Sequence, residues 1–558
     1  MKDYLLRAVR EALRSLHYSP TDIIFDKPKL AAHGDLTTNV AMMLAKSPGK
    51  NTDEARMLTH PREIAEAIVR SLHLDPLRIA SVEIAGPGFI NFRFAPAAVV
   101  EEAKKILCEG KNFGRTNAGK EIKTNVEWVS ANPTGPLHSG HGRQVILGAA
   151  ISNLLEWSGY NVTREYYFNN AGNQMRKLGE SIYARYRQLL GDGYSFPEEG
   201  YQGEYIREIA EEIFREKGDS LRETDPEREY CRKRGEEWCF ASIRKTLSRL
   251  GVRHDVFYNE DSLYTSGKIA EVIEEFRKRD LAYEHEGAVW LRATALGLDQ
   301  DRVIVKSTGE PTYRLPDIAY HREKFRRGFE LVVDIFGADH IATIPDVLAG
   351  VKALGFNTDN VKVIIHQMVS FVAGDEVVKM SKRSAKVYTL DDLIDEVGAD
   401  AVHYFFVMRS ANTHLEFDIA LAKEQSEKNP VYYLQYAHAR IASILRFAQE
   451  QGIALADSNL FLSAFTPEFV KEKEEIDLLK LLLDFPDIVE SCAASYEPHR
   501  LTTYLREVAE AFHRFYHERR VVSGDKHLML ARLALCIMAK TVIANGCSIL
   551  GVSAPEKM

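Results

Sequence analysis

Six cysteines are few for a chain of 558 residues, and no two form a Cys-x-x-Cys pair. Cys108, Cys231, Cys239, Cys492, Cys536 and Cys547 offer neither the spacing of a zinc knuckle nor a disulfide framework. Reduced thiols in a cytoplasm are therefore expected, with no zinc or other protein-held metal site. A signal peptide is missing too: MKDYLLRAVREALRSL is amphipathic and mixed in charge, without an apolar core or a small-residue cleavage site. No apolar run reads as long enough to span a bilayer, so no membrane partner is expected. The net charge of −8 advertises no nucleic-acid binding, yet excludes none, because a local basic surface suffices. Internal repeats, low-complexity tracts and long linkers are absent. The length calls for three or four domains, and 45% apolar with 27% charged residues is ordinary globular composition.

The most informative stretch is VEWVSANPTGPLHSGHGR, Val126 to Arg143. It reads as a short strand with Val126 and Trp128 on one face and Glu127 and Val129 on the other, then a turn-rich loop, then a helix from near His141. Leu147, Ile151, Leu154 and Leu155 follow at helical spacing, and Gly159 sits where a C-terminal cap belongs. His138 and His141 thus stand on a glycine-containing turn at a helix N-terminus, where free N–H groups and the helix dipole favour an anion such as phosphate. Taken alone, His-x-Gly-His fits a turn whose histidines bond nearby backbone equally well.

Around this stretch the chain divides into an α+β unit, a split α/β domain and a helical end. Residues 1–112 open with helical spacing at Tyr4, Leu5, Val9 and Leu13, continue with a helix through Ala41–Lys46, and end in two strands about Gly86-Pro87-Gly88. Residues 113–395 alternate β–α–β: a strand at Val126, the helix after His141 and a strand near Val162–Phe168. A second unit follows, with strand Leu331–Phe336, helix Ile344–Leu354 and strand Val361–Val369. The implied fold is a doubly wound parallel sheet of Rossmann type, with ligands at the carboxyl ends of its strands. Residues 175–305, rich in charged helices, read as one helical insertion between its halves. Residues 396–558 read as helical to the end, a bundle.

The run Ala131, Asn132, Pro133, Thr134, Gly135, Pro136, Leu137, His138, Ser139, Gly140 and His141 resembles the HIGH-type signature of class I aminoacyl-tRNA synthetases, and in its long form that of arginyl-tRNA synthetases. HGDLTTNVAMMLAK and AGPGFINFRF resemble the tRNA-contacting N-terminal domain of that family. ADAVHYFFVMRS, NPVYYLQYAHARI and PHRLTTYLREVAEAFHRFY resemble its anticodon-binding domain. Lys379-Met380-Ser381-Lys382-Arg383 would by itself be a solvated loop; one loop beyond the last strand, it resembles the KMSKS motif, whose cations hold the triphosphate.

The resemblance implies an arginine–tRNA ligase. Arginine's carboxylate attacks the α-phosphate of ATP, and the arginyl-adenylate then passes to the tRNA ribose, with ATP and Mg²⁺, L-arginine and tRNA(Arg) as partners and a monomeric enzyme. His138, Gly140, His141, Lys379, Ser381 and Lys382 would handle ATP, with His138, His141, Lys379 and Lys382 stabilising charge by position rather than by covalent chemistry. Glu127, Asn132, Tyr313 and Asp317 would contact arginine, since a guanidinium asks for carboxylates and other acceptors; lysine and canavanine are its competitors. Asp317 by itself would read as a helix cap. Asn170 and Pro316 depart from the family pattern and receive no role, and Gly337, Asp339 and His340 fit a capped turn as well as a substrate contact. Two other classes share parts of this pattern, a nucleotidyltransferase without tRNA and a non-catalytic tRNA binder. The N-terminal module and bundle speak against the first, the four intact motif cations and histidines against the second.

Overall fold

The computed structural model describes residues 1–18, 22–28, 30–46, 60–221, 224–373, 376–377 and 388–558. The N-terminal helix Lys2–Ser15 buries Leu5, Val9 and Leu13 and packs on helix Pro61–Ser71, beside an antiparallel sheet in which Phe89–Phe94 lies between Leu36–Thr38 and Ile79–Ala85. The hairpin turns on Gly86 and Gly88, both at positive φ, and a Cβ on Gly88 would come within 2.8 Å of the Pro61 carbonyl oxygen. This unit has its own core, including Ile64, Ile68, Ile90 and Phe92.

The central sheet has five parallel strands in the spatial order Val361–His366, Leu331–Gly337, Lys123–Glu127, Asn161–Phe168, Val256–Asn259. Numbered along the chain this is 5-4-1-2-3, the doubly wound order. Its switch point lies between Lys123–Glu127 and Leu331–Gly337, where a crevice opens at the carboxyl ends. The crossover helix Gly142–Trp157 is buried almost all round, because it lies between the sheet and the C-terminal helices Ala399–Val407, Phe485–Ser495 and Lys526–Leu550. A helix apolar on every side needs such double cover.

Three expectations need correction. The stretch 175–305 is not one insertion, because Val256–Asn259 within it is an edge strand of the central sheet. Before that strand stand three helices, Gly172–Leu189, Glu204–Lys217 and Asp225–Arg249, around a core that includes Leu178, Ile182, Ile206 and Ile213. After it comes an antiparallel sheet of Ala282–His285, Ala288–Leu291 and Arg302–Val305. Likewise Val361–Val369 is two elements. The chain leaves the central sheet at His366 and starts a second small sheet at Val369–Ala373, paired with Glu376–Val377 and, in parallel, with Leu415–Asp418. The region after 395 is therefore not wholly helical.

The third correction concerns membranes: Lys526–Leu550, 25 residues long, is apolar enough to cross one. Most of it is buried within the protein, and its polar groups are spoken for internally. Arg532 pairs with Glu475 at 2.8 Å, and Asn545 donates to the Gly110 and Phe113 carbonyls.

Gly148 lies on the crossover helix where a Cβ would reach 2.1 Å from the buried Trp128 ring. Gly148→Ala is expected to destabilise the protein by roughly 1–3 kcal/mol despite alanine's better helix propensity, measured by urea denaturation.

Candidate active site

The strand Lys123–Glu127 ends in a strained turn. Val129 and Ser130 have φ of +72° and +45°, a region that holds non-glycine residues only where the surroundings force it, at about 1–3 kcal/mol each. Here Ser130 Oγ donates to Glu127 Oε1 (2.9 Å) and accepts from the Tyr167 N–H (3.2 Å). The loop beyond is pinned by Tyr166, whose hydroxyl donates to the Ala131 carbonyl (2.8 Å), and by Tyr205 of the helical insertion, which donates to the Thr134 carbonyl (2.6 Å). Asn132 accepts from the Asn169 N–H (3.0 Å) and donates to Gln174 Oε1 (2.8 Å).

A single 3₁₀ turn, Ser139–His141, precedes the helix. The His138 and His141 rings stack with centroids 3.6 Å apart, and the His138 N–H donates to His141 Nδ1 (3.2 Å). An accepting Nδ1 leaves the proton of neutral His141 on Nε2, free to donate. Burial, with help from His138 and His366, pushes the His141 pKa down to about 3, and burial lowers that of His138. Both rings are therefore neutral at physiological pH, and the turn offers N–H dipoles rather than positive charge. Lys379, Ser381 and Lys382 lie outside the described residues. The chain that returns from them is stitched to this turn: the Ser139 N–H donates to the Tyr388 carbonyl (3.1 Å), and the Leu390 N–H to the Leu137 carbonyl (2.8 Å).

Beside the turn, strand register lines up three buried carboxylates. Glu127 is level with Asp334 on one neighbouring strand and Glu165 on the other. One helix, Arg314–Arg326, with the residue that follows it, supplies their partners. Lys324 Nζ, fully buried, donates to both Glu127 Oε2 and Asp334 Oδ1 at 2.6 Å. His321 faces Asp334 Oδ2 (2.9 Å) through Nε2 and the Asp317 carbonyl (2.8 Å) through Nδ1. Burial opposes its charge, but the Asp334 carboxylate prevails and raises its pKa. Arg327 forks onto Glu165 at 2.5 and 2.7 Å, and Tyr320 donates to the same carboxylate. Three carboxylates thus meet two cations, Lys324 and Arg327, and an imidazole whose protonated form Asp334 favours.

Two further carboxylates at the mouth have no such partner. Asp317, on the same helix, has no ion pair or side-chain hydrogen bond among the described residues, so it does not cap the helix. Burial pushes its carboxyl up to about 7, with Glu127 and Glu260 adding to the effect. Glu260, which follows the strand Val256–Asn259, accepts from the Tyr167 hydroxyl (2.7 Å) and Asn169 Nδ2 (2.8 Å), and burial raises its pKa. Tyr167 is close enough to Asp317, Glu260 and Glu127 to feel all three charges. Of the four residues expected against arginine, Glu127, Asn132 and Asp317 gather here. Tyr313 does not: it is 88% exposed. Tyr167, Glu260 and Lys324 were not singled out in the sequence. Asn170 Nδ2 donates to Glu236 (2.7 Å) and Pro316 is buried. Asp339 and His340 are exposed, with the His340 ring stacked on Phe336.

Three family models match the chain in succession: the arginyl tRNA synthetase N terminal domain over residues 3–94, the catalytic domain of class I (R) tRNA synthetases over 102–413, and the DALR anticodon binding domain over 434–558. The catalytic model alone spans more than half of the chain. The chain belongs to the arginyl-tRNA synthetase family. It is 47% identical to the arginine–tRNA ligase of Salinibacter ruber, with all of both chains covered. To that of Desulfotalea psychrophila it is 48% identical, over 95% of this chain and 94% of the relative. The Thermus thermophilus arginyl-tRNA synthetase has the same fold, with a TM-score of 0.75 at 20% identity over 100% of both chains. The synthetase therefore ligates L-arginine to its cognate tRNA with ATP, by way of an arginyl-adenylate.

Lys324→Met would leave Glu127 and Asp334 side by side without their cation. Breaking such a buried network is expected to cost about 3–5 kcal/mol, measured by urea denaturation. The deficit should shrink as pH falls, because an uncompensated carboxylate can then take up a proton.

Proposed function

We propose that arginine binds at the mouth of the central strands with its guanidinium between Asp317 and Glu260 and its backbone end toward Glu127 and Asn132. The observation that supports this most is the charge balance. Lys324 and Arg327 pair with the inner carboxylates, with His321 on Asp334, whereas Asp317 and Glu260 make no ion pair among the described residues, and Asp317 feels His321 and Lys324 only through space. A planar fork of five donors satisfies two separated carboxylates as no protein group there does. Tyr313, one turn before Asp317 on the same helix, would meet the ligand only by moving inward.

ATP then lies along the turn His138–His141, with the Gly140 backbone N–H and the neutral Nε2–H groups of His138 and His141 donating to phosphate oxygens. The arginine carboxylate attacks the α-phosphate, and charge builds on the departing pyrophosphate. Preorganised donors stabilise it at no cost in reorganisation. The positive charge the imidazoles lack is assigned to Lys379 and Lys382, with Ser381 as a further donor. Magnesium is expected to enter with ATP; among the described residues no cluster of three or more histidine, cysteine, aspartate or glutamate side chains stands ready to hold a metal. The 2′- or 3′-hydroxyl of the terminal tRNA ribose then takes the arginyl group.

In the bundle, Tyr432, Tyr436, Arg440 and Tyr516 form a partly exposed ladder, with Arg440 5.0 and 5.4 Å over the rings of Tyr436 and Tyr516. Such a platform suits unpaired anticodon bases. His438 and Arg519 do not join it, being bonded to the Pro555 carbonyl and to Glu474. The proposal takes the enzyme as a cytoplasmic monomer, in keeping with six unpaired cysteines.

The test is arginine-dependent ATP–pyrophosphate exchange, with and without tRNA, beside lysine and glutamate controls. Exchange is expected with arginine and tRNA together; exchange with another amino acid in place of arginine would remove the pocket assignment. Asp317→Asn and Glu260→Gln should each raise the arginine KM while leaving that of ATP nearly unchanged.

A pH profile tests Asp317 separately. Its carboxyl titrates near 7 in the free enzyme, and a guanidinium binds only the ionised form. Binding therefore releases a proton, and the arginine KM should fall as pH rises through about 7 and then level off. Asp317→Asn should abolish that slope.

A further inference from the structure

Arg143 closes the histidine-bearing turn and is fully buried, yet no carboxylate among the described residues pairs with it. Its guanidinium instead holds three backbone carbonyls. Nη1 donates to Gln367 (2.9 Å) and Thr413 (2.8 Å), and Nη2 to Ser410 (2.8 Å). Burial without a counter-charge lowers its pKa to about 10, which leaves it protonated at neutral pH. A buried charge paired only with dipoles is an expensive way to fill space, and an apolar side chain of similar volume would serve packing better.

What the three carbonyls share is their place in the chain. Gln367 lies between the central-sheet strand Val361–His366 and the strand Val369–Ala373 of the second small sheet. Ser410 and Thr413 lie in the loop between helix Ala399–Val407 and the strand Leu415–Asp418, which runs parallel to Val369–Ala373. The two segments also hold each other directly, the Gln367 N–H donating to the Ala411 carbonyl (2.9 Å) and the Leu415 N–H to the Met368 carbonyl (3.2 Å). Arg143 thus joins the start of the His141 helix to the point where the central sheet, the small sheet and the path into the bundle meet. Elsewhere the turn touches this region through the Tyr388–Leu390 bridge and through Gly142, packed on Phe406 and Leu390.

We propose that Arg143 is a positioning residue for adenylate formation, which fixes the His138–His141 turn against the small sheet through these three carbonyls. It touches no substrate and acts through the placement of the turn. The proposal rests on the reading of that turn as the ATP site, and it deepens that reading by naming what sets its position. The arginine pocket hangs from Lys324 and the sheet instead, so the two sites should respond separately.

The experiment compares full-length wild type, Arg143→Met and Arg143→Lys in arginine-dependent ATP–pyrophosphate exchange with tRNA present, with urea denaturation of each. Misplacement of reacting groups by about 1 Å lowers rates on the order of 10²-fold. Arg143→Met is therefore expected to lose about that much kcat and to raise the ATP KM, with the arginine KM within about twofold of wild type. Arg143→Lys keeps charge and donors without the planar fork, and should regain part of kcat.

Folded Arg143→Met with wild-type kcat overturns the proposal, as does an arginine KM that rises as much as that of ATP. If Arg143→Met does not fold, Arg143→Lys decides: folded with lowered kcat and normal arginine KM supports positioning, whereas wild-type kcat reduces Arg143 to a stability element and overturns it. Absence of arginine-dependent exchange in the wild type strikes the functional reading itself, a distinguishable outcome.

Discussion

The arrangement of the mouth depends on one electrostatic constraint. Parallel strands in register bring Glu165, Glu127 and Asp334 to the same level, with neighbouring strands less than about 5 Å apart. Three adjacent carboxylates in a dry interior cannot stay ionised without cations. One helix face answers them: Tyr320, His321, Lys324 and Arg327 recur at helical spacing and all reach the strand ends. The rotation and depth of helix Arg314–Arg326 therefore answer to charge on this face, while Leu315, Ile318 and Ala319 pack into a hydrophobic core on another. Asp317, one turn earlier on that helix, inherits its place in the cleft from the same docking.

That constraint also marks where the sequence is legible and where it is not. The strands at Lys123 and Leu331, the crossover helix and the turn at His138 follow from hydrophobic spacing and turn chemistry, both local. RLPDIAYHREKFR, by contrast, has no clean apolar stripe, because it buries His321, Arg322, Glu323 and Lys324 as well as Leu315, Ile318 and Ala319. Lys324 is buried by Glu127, 197 residues away, and no window of spacing contains that fact. The strands Val256–Asn259 and Leu415–Asp418 have four residues each, too short for an alternation to register. Glu260 was hidden with the first of them: once that strand joins the sheet, the residue after it must stand at the mouth.

The neutral imidazoles shift the division of labour within the site. In the proposed ATP site, the turn would meet the several negative charges of a triphosphate with backbone N–H groups and two uncharged rings. Such donors orient phosphate oxygens without a strong charge that would hold pyrophosphate after cleavage. Two buried cations of the domain, Lys324 and Arg143, are both spent on the protein itself, one on carboxylates and one on carbonyls.

Under the proposed placement of arginine between Asp317 and Glu260, the same reasoning bears on discrimination between arginine and lysine. Glu260 already accepts hydrogen bonds from Tyr167 and Asn169, so an amino acid that fails to reach it leaves no bare acceptor. Asp317 has no such support. With its carboxyl near 7, it protonates readily when the pocket is empty and ionises when a guanidinium arrives, so the free enzyme carries little penalty from an unpaired charge. A lysine ammonium, a compact charge without the planar fork, can satisfy one carboxylate but not span two. It leaves either a protonated Asp317, and so no ion pair, or an ionised one unmatched. Sites whose buried polar groups go unpaired reject such analogues by roughly 10⁴–10⁵-fold in favourable cases. Selectivity then resides less in the number of carboxylates than in having one that is tolerable only when empty or correctly filled.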